Sequence, residues 1–73
     1  MKRFKVYTKE KGIVETDEYQ EIYPLTWHRL DGPAIIEYIE ELNISRVWYY
    51  INNKSYSKND YDKEILKLTV NLL

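Results

Sequence analysis

Residues 34–56 read AIIEYIEELNISRVWYYINNKSY. Two runs rich in β-branched and aromatic residues flank a polar break, and an asparagine pair separates the second run from a third, shorter one. Side chains alternate between the faces of a strand. In the first run Ala34, Ile36 and Tyr38 therefore share one face, and Ile35, Glu37 and Ile39 share the other. In the second run Val47, Tyr49 and Ile51 oppose Trp48 and Tyr50. The break ELNIS turns the chain back, so strands over about 34–40 and 46–51 pair as a central hairpin. Asparagine enters left-handed backbone conformations more readily than most residues, so Asn52-Asn53 predicts a two-residue hairpin turn into a short strand at 54–56.

The same reading extends outward in both directions. After the last strand, Ser57 stands three residues before Asp60, the spacing of an N-cap with a near-capping box. Tyr61, Ile65, Leu68 and Leu72 then recur at helical spacing, flanked by Leu66 and Val70. A helix over about 58–71 is predicted, with its apolar stripe covering one face of the sheet. Toward the N-terminus, Phe4, Val6 and Thr8 alternate with Arg3, Lys5 and Tyr7, predicting a strand at 3–8. Gly12 can take the positive φ of a turn, and strands follow at 13–16 and 19–23. Pro24 stops ladder pairing there, because it has no N–H to donate. The segment HRLDGPA, residues 28–34, is dense in turn residues and delivers the chain into the central hairpin. The expected fold is α+β: a small antiparallel β-sheet of consecutive hairpins with a C-terminal α-helix packed on it, in a single domain spanning 1–73.

Composition narrows the function classes. The chain has 73 residues, no cysteine and one histidine. Disulfides, thiolate metal sites and a cysteine nucleophile are thereby excluded, and no metal site or cofactor is expected. A chain of this length buries only ~60% of its unfolded surface, so its core is small. There is little room for a pocket of ~300 Å³. Net charge is −1, which gives no global pull toward nucleic acid or anionic lipid. The charge is uneven: Lys2, Arg3, Lys5, Lys9 and Lys11 crowd the start, while Glu15, Asp17, Glu18, Glu21, Glu37, Glu40 and Glu41 follow. The opening MKRFKVYTKE lacks the apolar run of a signal peptide, and no stretch is long and apolar enough to span a membrane. A cytoplasmic location in a host cell is the expectation.

An enzyme is not expected. His28 and Asp31 lie three apart with Arg29 between them, and a His–carboxylate pair can orient a general base. No nucleophile accompanies them, and Ser45, Ser55 and Ser57 read as turn and cap residues. The bland reading is that His28 and Arg29 bond the carbonyls and Asp31 of their own turn. Glu37 and Glu40 fall on opposite faces of a strand and form no catalytic pair.

The eight tyrosines, two tryptophans and one phenylalanine supply core area to a small domain. They also suit a binding face, since tyrosine and tryptophan dominate interface hot spots. The chain WHRLDGPAIIEY, followed by WYYINNKSYSKNDYDKEI, resembles the H-R-x-D-G-P-A and W-Y-x-N-G-K pattern of short repeats in bacteriophage and giant-virus proteins, similar to the hairpin repeats called MORN. The resemblance covers about residues 22–65. Asn53 stands where the pattern has glycine, and the second copy runs into the helix. A weak internal echo of the first copy, residues 19–31, recurs at 47–59. The resemblance implies stacked β-hairpins and a phage or viral origin, and no reaction.

The leading expectation is a protein-binding module of phage type that inhibits or redirects a host protein. The residues expected to contact it are Trp27, His28, Arg29, Tyr38, Trp48 and Tyr50, with nearby acidic groups steering toward a basic partner. Two alternatives stand beside it. One is an oligomer that sequesters a small ligand such as a nucleotide, with Arg29 and rings at a subunit junction; a homodimer without ligand is also possible. The other is a single-stranded nucleic-acid binder using the rings with Lys2, Arg3 and Lys5. Glu37, Glu40 and Glu41 weigh against the last.

Overall fold

The structure, a computed structural model, describes residues 2–71. Five antiparallel strands form one sheet in the order β2-β1-β3-β4-β5. They are β1 (Lys2–Thr8), β2 (Gly12–Thr16), β3 (Ile35–Ile39), β4 (Ile44–Ile51) and β5 (Lys54–Tyr56), followed by helix α1 (Lys58–Asn71). The fold is thus α+β, an antiparallel sheet with the C-terminal helix packed on it. The hairpins are not all consecutive: β1, not β2, lies beside β3, with Val6 opposite Ile35 and Phe4 opposite Glu37.

Turn chemistry sits at the residues expected to turn. Asn52 and Asn53 have φ of 50° and 67°, the doubly left-handed geometry that matches hairpin twist. At the β1–β2 turn Gly12 has φ 68°, and the Thr8 hydroxyl both donates to the Gly12 carbonyl (2.9 Å) and accepts from the Lys11 N–H (3.0 Å). Ser57 caps the helix, its Oγ accepting from the Asp60 N–H at 3.2 Å.

The segment at 19–23 is not a strand. Tyr19–Glu21 is a single 3-10 turn, and the chain then crosses one face of the sheet. A five-residue alternation of tyrosine and glutamate carried little information, since Tyr19 and Tyr23 remain 47% and 70% exposed while Ile22 is fully buried. Ile22 is the anchor of this crossing. With Val6 and Ile35 it forms the core, against which Phe4, Val14, Trp27 and Tyr50 pack.

The helix also covers less of the sheet than its stripe suggested. Its contacts are with β4 and β5 alone among the strands it meets closely. Tyr61 is buried and packs its ring on Tyr49, centroids 4.7 Å apart, but Leu66 and Val70 are 65% and 58% exposed. Leu72 lies outside the described residues. The result is a slab of 43 × 26 × 15 Å, with residues 17–27 over one face and α1 over one end of the other. Among the described residues no helix is long and apolar enough to cross a membrane.

Candidate functional site: an aromatic groove over a buried glutamate

Four rings meet in series on the face crossed by residues 17–27. Phe4 packs edge-on to Tyr19 (6.3 Å between centroids), Tyr19 to Trp27 (6.2 Å) and Trp27 to Tyr50 (5.0 Å). Such pairs set the positive edge of one ring on the negative face of the next. Trp27 is fixed at three points. Its indole N–H donates to the Ile22 carbonyl at 2.9 Å, its main-chain N–H donates to Asn53 Oδ1 at 2.6 Å, and its carbonyl accepts from the Asn53 N–H at 2.9 Å. Trp48, two residues before Tyr50 on β4, joins them in lining one groove. Together these rings wall an open groove of about 260 Å³, with Ile22, Ile35 and Glu37 among its lining residues.

Glu37 is one of the residues that line this groove. The alternation of β3 puts it on the same face as Ile35 and Ile39, and it is 6% exposed. Its Oε2 lies 4.0 Å from the Lys2 ammonium, whose side chain is 62% exposed. Its Oε1 is buried with no hydrogen-bond partner. A buried carboxylate oxygen left without a donor forfeits the hydration it had in water, so this atom is the most conspicuous unmet demand among the described residues.

The residues expected to contact a partner divide between three places. Trp27, Trp48 and Tyr50 come together in the groove. Tyr38, 42% exposed, projects from the opposite face of β3. His28 and Arg29 belong to the loop that enters the sheet. The His28 N–H donates to the Tyr7 carbonyl and the Arg29 N–H to the Tyr50 carbonyl, so the loop fills the space between β1 and β4 before β3 begins. His28 Nδ1 accepts from the Asn52 N–H at 3.0 Å rather than bonding its own turn. Partial burial, and then the charge of Lys9, hold the His28 imidazole below its ordinary pKa. Arg29 does serve its own turn. It donates to Asp31 Oδ1 (2.8 Å) and to the Pro33 carbonyl (3.1 Å), and its guanidinium stacks 3.9 Å above the Tyr7 ring. The bond from Arg29, and then its charge, lower the Asp31 pKa. Gly32 is required by this clamp: a Cβ there would stand 2.9 Å from the Arg29 guanidinium carbon.

Phe4, Tyr19 and Glu37 are groove residues that the sequence reading did not single out. The signal for Glu37 was present in its placement between Ile35 and Ile39 on one face. A second concavity, about 480 Å³, lies between His28, Ile51, Tyr56 and Leu68, so open depressions on this small chain exceed what its length suggested. Comparison with protein-family models, with curated proteins and with solved structures finds no match to this chain.

Proposed function

We propose that this chain is a protein-binding module, of the phage type that inhibits or redirects a host protein, and that the aromatic groove and the margin of β4 beside it form its interface. The observation that carries the reading is the length mismatch at that margin. β4 runs from Ile44 to Ile51, but β5 pairs only with Tyr49, Tyr50 and Ile51. Among the described residues no strand pairs with the outer side of residues 44–48, all of which are exposed. An unpaired strand edge is a template for an incoming strand, with main-chain bonds giving affinity and neighbouring pockets giving specificity. Here Ile44, Val47 and Trp48 line the edge at 43%, 46% and 38% exposure, and Trp48 belongs to the groove as well.

Two observations favour this reading over its alternatives. A glutamate in the lining of the groove opposes the phosphates of a nucleic acid. Arg29, the residue on which nucleotide binding would rest, is already committed to Asp31, Pro33 and Tyr7.

The test is capture of host proteins from a bacterial lysate with the tagged chain, with and without nuclease, using wild type and Trp48→Ala. One host protein retained after nuclease, and lost with Trp48→Ala while circular dichroism is unchanged, is the expected result. Capture that Trp48→Ala leaves intact, or that nuclease abolishes, defeats the proposal.

A further inference from the structure

We infer that the groove receives an arginine side chain of the partner, its guanidinium donating to Glu37 Oε1 between the rings of Phe4, Tyr19, Trp48 and Tyr50. The inference rests on the interface reading above and names the chemistry that fills it.

The argument starts from Oε1. It is buried and unpartnered, on a residue that lines the groove, so the missing group is a hydrogen-bond donor. The aromatic walls in addition favour a cationic donor, because ring faces carry negative charge and attract cations more strongly where water is excluded. A quaternary ammonium satisfies the rings but has no N–H for Oε1. An ammonium satisfies both but is compact and strongly hydrated. A guanidinium is planar, more weakly hydrated, stacks on aromatic faces and presents several N–H donors in one plane. It meets both demands at a lower cost of desolvation than an ammonium.

Among the described residues two cations flank the glutamate. Lys2 faces Oε2, at the 4.0 Å limit of an ion pair. Arg46 lies directly across the β3–β4 ladder from Glu37, is exposed, and leaves Oε1 unpartnered. Neither supplies the missing donor, and Lys2 competes with one from outside. The geometry of strand addition at residues 44–48 brings a partner's side chains alongside Trp48 and hence to the mouth of the groove. A peptide arginine is therefore the occupant this site fits, ahead of a free guanidinium compound.

The test is a titration of the full chain with N-acetyl-arginine methylamide, followed by the two indole N–H signals in ¹⁵N-resolved NMR. The matched lysine compound, the neutral citrulline compound and tetramethylammonium serve as controls, and an extended pentapeptide with a central arginine as the peptide arm. The expected order of affinity is arginine, then lysine, then citrulline and tetramethylammonium, the last two weaker than arginine by about tenfold or more. Glu37→Gln removes the preference for arginine over citrulline, and Lys2→Ala strengthens arginine binding. The pentapeptide binds more tightly than the capped amino acid; equal affinity would overturn the assignment to a partner's side chain in favour of a free guanidinium ligand. Equal binding of arginine and citrulline, or an unchanged preference in a folded Glu37→Gln, overturns the inference. So does the lack of any indole shift in both wild type and Lys2→Ala. If host capture still depends on Trp48 but not on Glu37, the interface stands and the arginine does not. If the arginine compound binds but no host protein is captured, the converse holds.

Discussion

Trp27 and Asn53 exchange two hydrogen bonds, Trp27 N–H to Asn53 Oδ1 at 2.6 Å and Asn53 N–H to the Trp27 carbonyl at 2.9 Å. Twenty-six residues separate them. The exchange ties the loop that carries Trp27 to the tip of the β4–β5 hairpin, and so positions the indole that joins Tyr19 to Tyr50. The residue at 53 therefore does two tasks, holding a left-handed φ of 67° and presenting an amide oxygen.

Substitution at 53 separates these tasks. Asn53→Gly keeps the turn geometry and loses the side-chain acceptor, at a cost of about 1 kcal/mol. Asn53→Ala loses the acceptor and adds the strain of a left-handed alanine, a further ~1 kcal/mol. Urea unfolding should rank wild type above Asn53→Gly above Asn53→Ala. Identical midpoints for the two variants would show that the backbone conformation at 53 is not the constraint described.

Tyr61 joins the helix to the entering loop through one hydroxyl, which donates to the Arg29 carbonyl at 2.7 Å and accepts from the Gly32 N–H at 3.1 Å. Tyr61→Phe preserves the ring packed on Tyr49 and leaves two part-buried main-chain groups without their partner. A loss of about 1–3 kcal/mol is expected in chemical denaturation. Amide exchange at Gly32 should quicken well beyond the change in global stability.

Ile22→Ala tests the anchor of the crossing segment. Ile22 is fully buried against Val6 and Ile35, so truncation costs about 2–5 kcal/mol. That is a large part of the stability of any small domain. Trp27 fluorescence should shift toward that of exposed indole before the β1–β2 hairpin loses its amide protection.

Stability should fall as pH is lowered from about 7 toward 5, through His28. Its pKa in the fold is depressed, chiefly by burial. Between the folded and unfolded values the unfolded chain binds the proton and the folded chain does not, so lowering pH favours unfolding. Protonation also removes Nδ1 as the acceptor for the Asn52 N–H. His28→Asn, which offers an oxygen near the place of Nδ1, should flatten this part of the profile. The lowered pKa values of Glu10, bonded first of all by Thr26, and of Asp31, bonded by Arg29, act in a separate and more acidic range. Their stabilisation is complete above the unfolded carboxylate values and is lost as pH falls through the folded ones.

The strands that became visible from sequence are those whose alternation is reinforced by turn chemistry. Residues 34–56 combined β-branched runs with Asn52-Asn53, and the structure returns a meander there with β3 and β4 displaced by one or two residues at their ends. The helix start was written in Ser57. The segment 19–23 misled because tyrosine suits a strand, a turn or a groove wall equally, and only Ile22 has to be buried. Strand order was not legible, because a β1–β3 pairing is a long-range choice stabilised by the crossing of residues 17–27. The groove was half legible. Trp27, Trp48 and Tyr50 stood out as rings, but their meeting with Phe4 and Tyr19 depends on that same crossing.

The bare margin of β4 also exposes the chain to itself. Any copy of residues 44–48 can present an identical margin to a neighbour, and Ile44, Val47 and Trp48 supply the side chains that make such stacking persist. Arg46 sits in the middle of this margin, exposed. Two copies laid in parallel register would set arginine against arginine, and the repulsion discourages the sheet from growing by self-addition. A charge at that position acts as a guard on an otherwise sticky strand. Its replacement by an uncharged β-former should make the chain precipitate with time and concentration, read as light scattering against wild type.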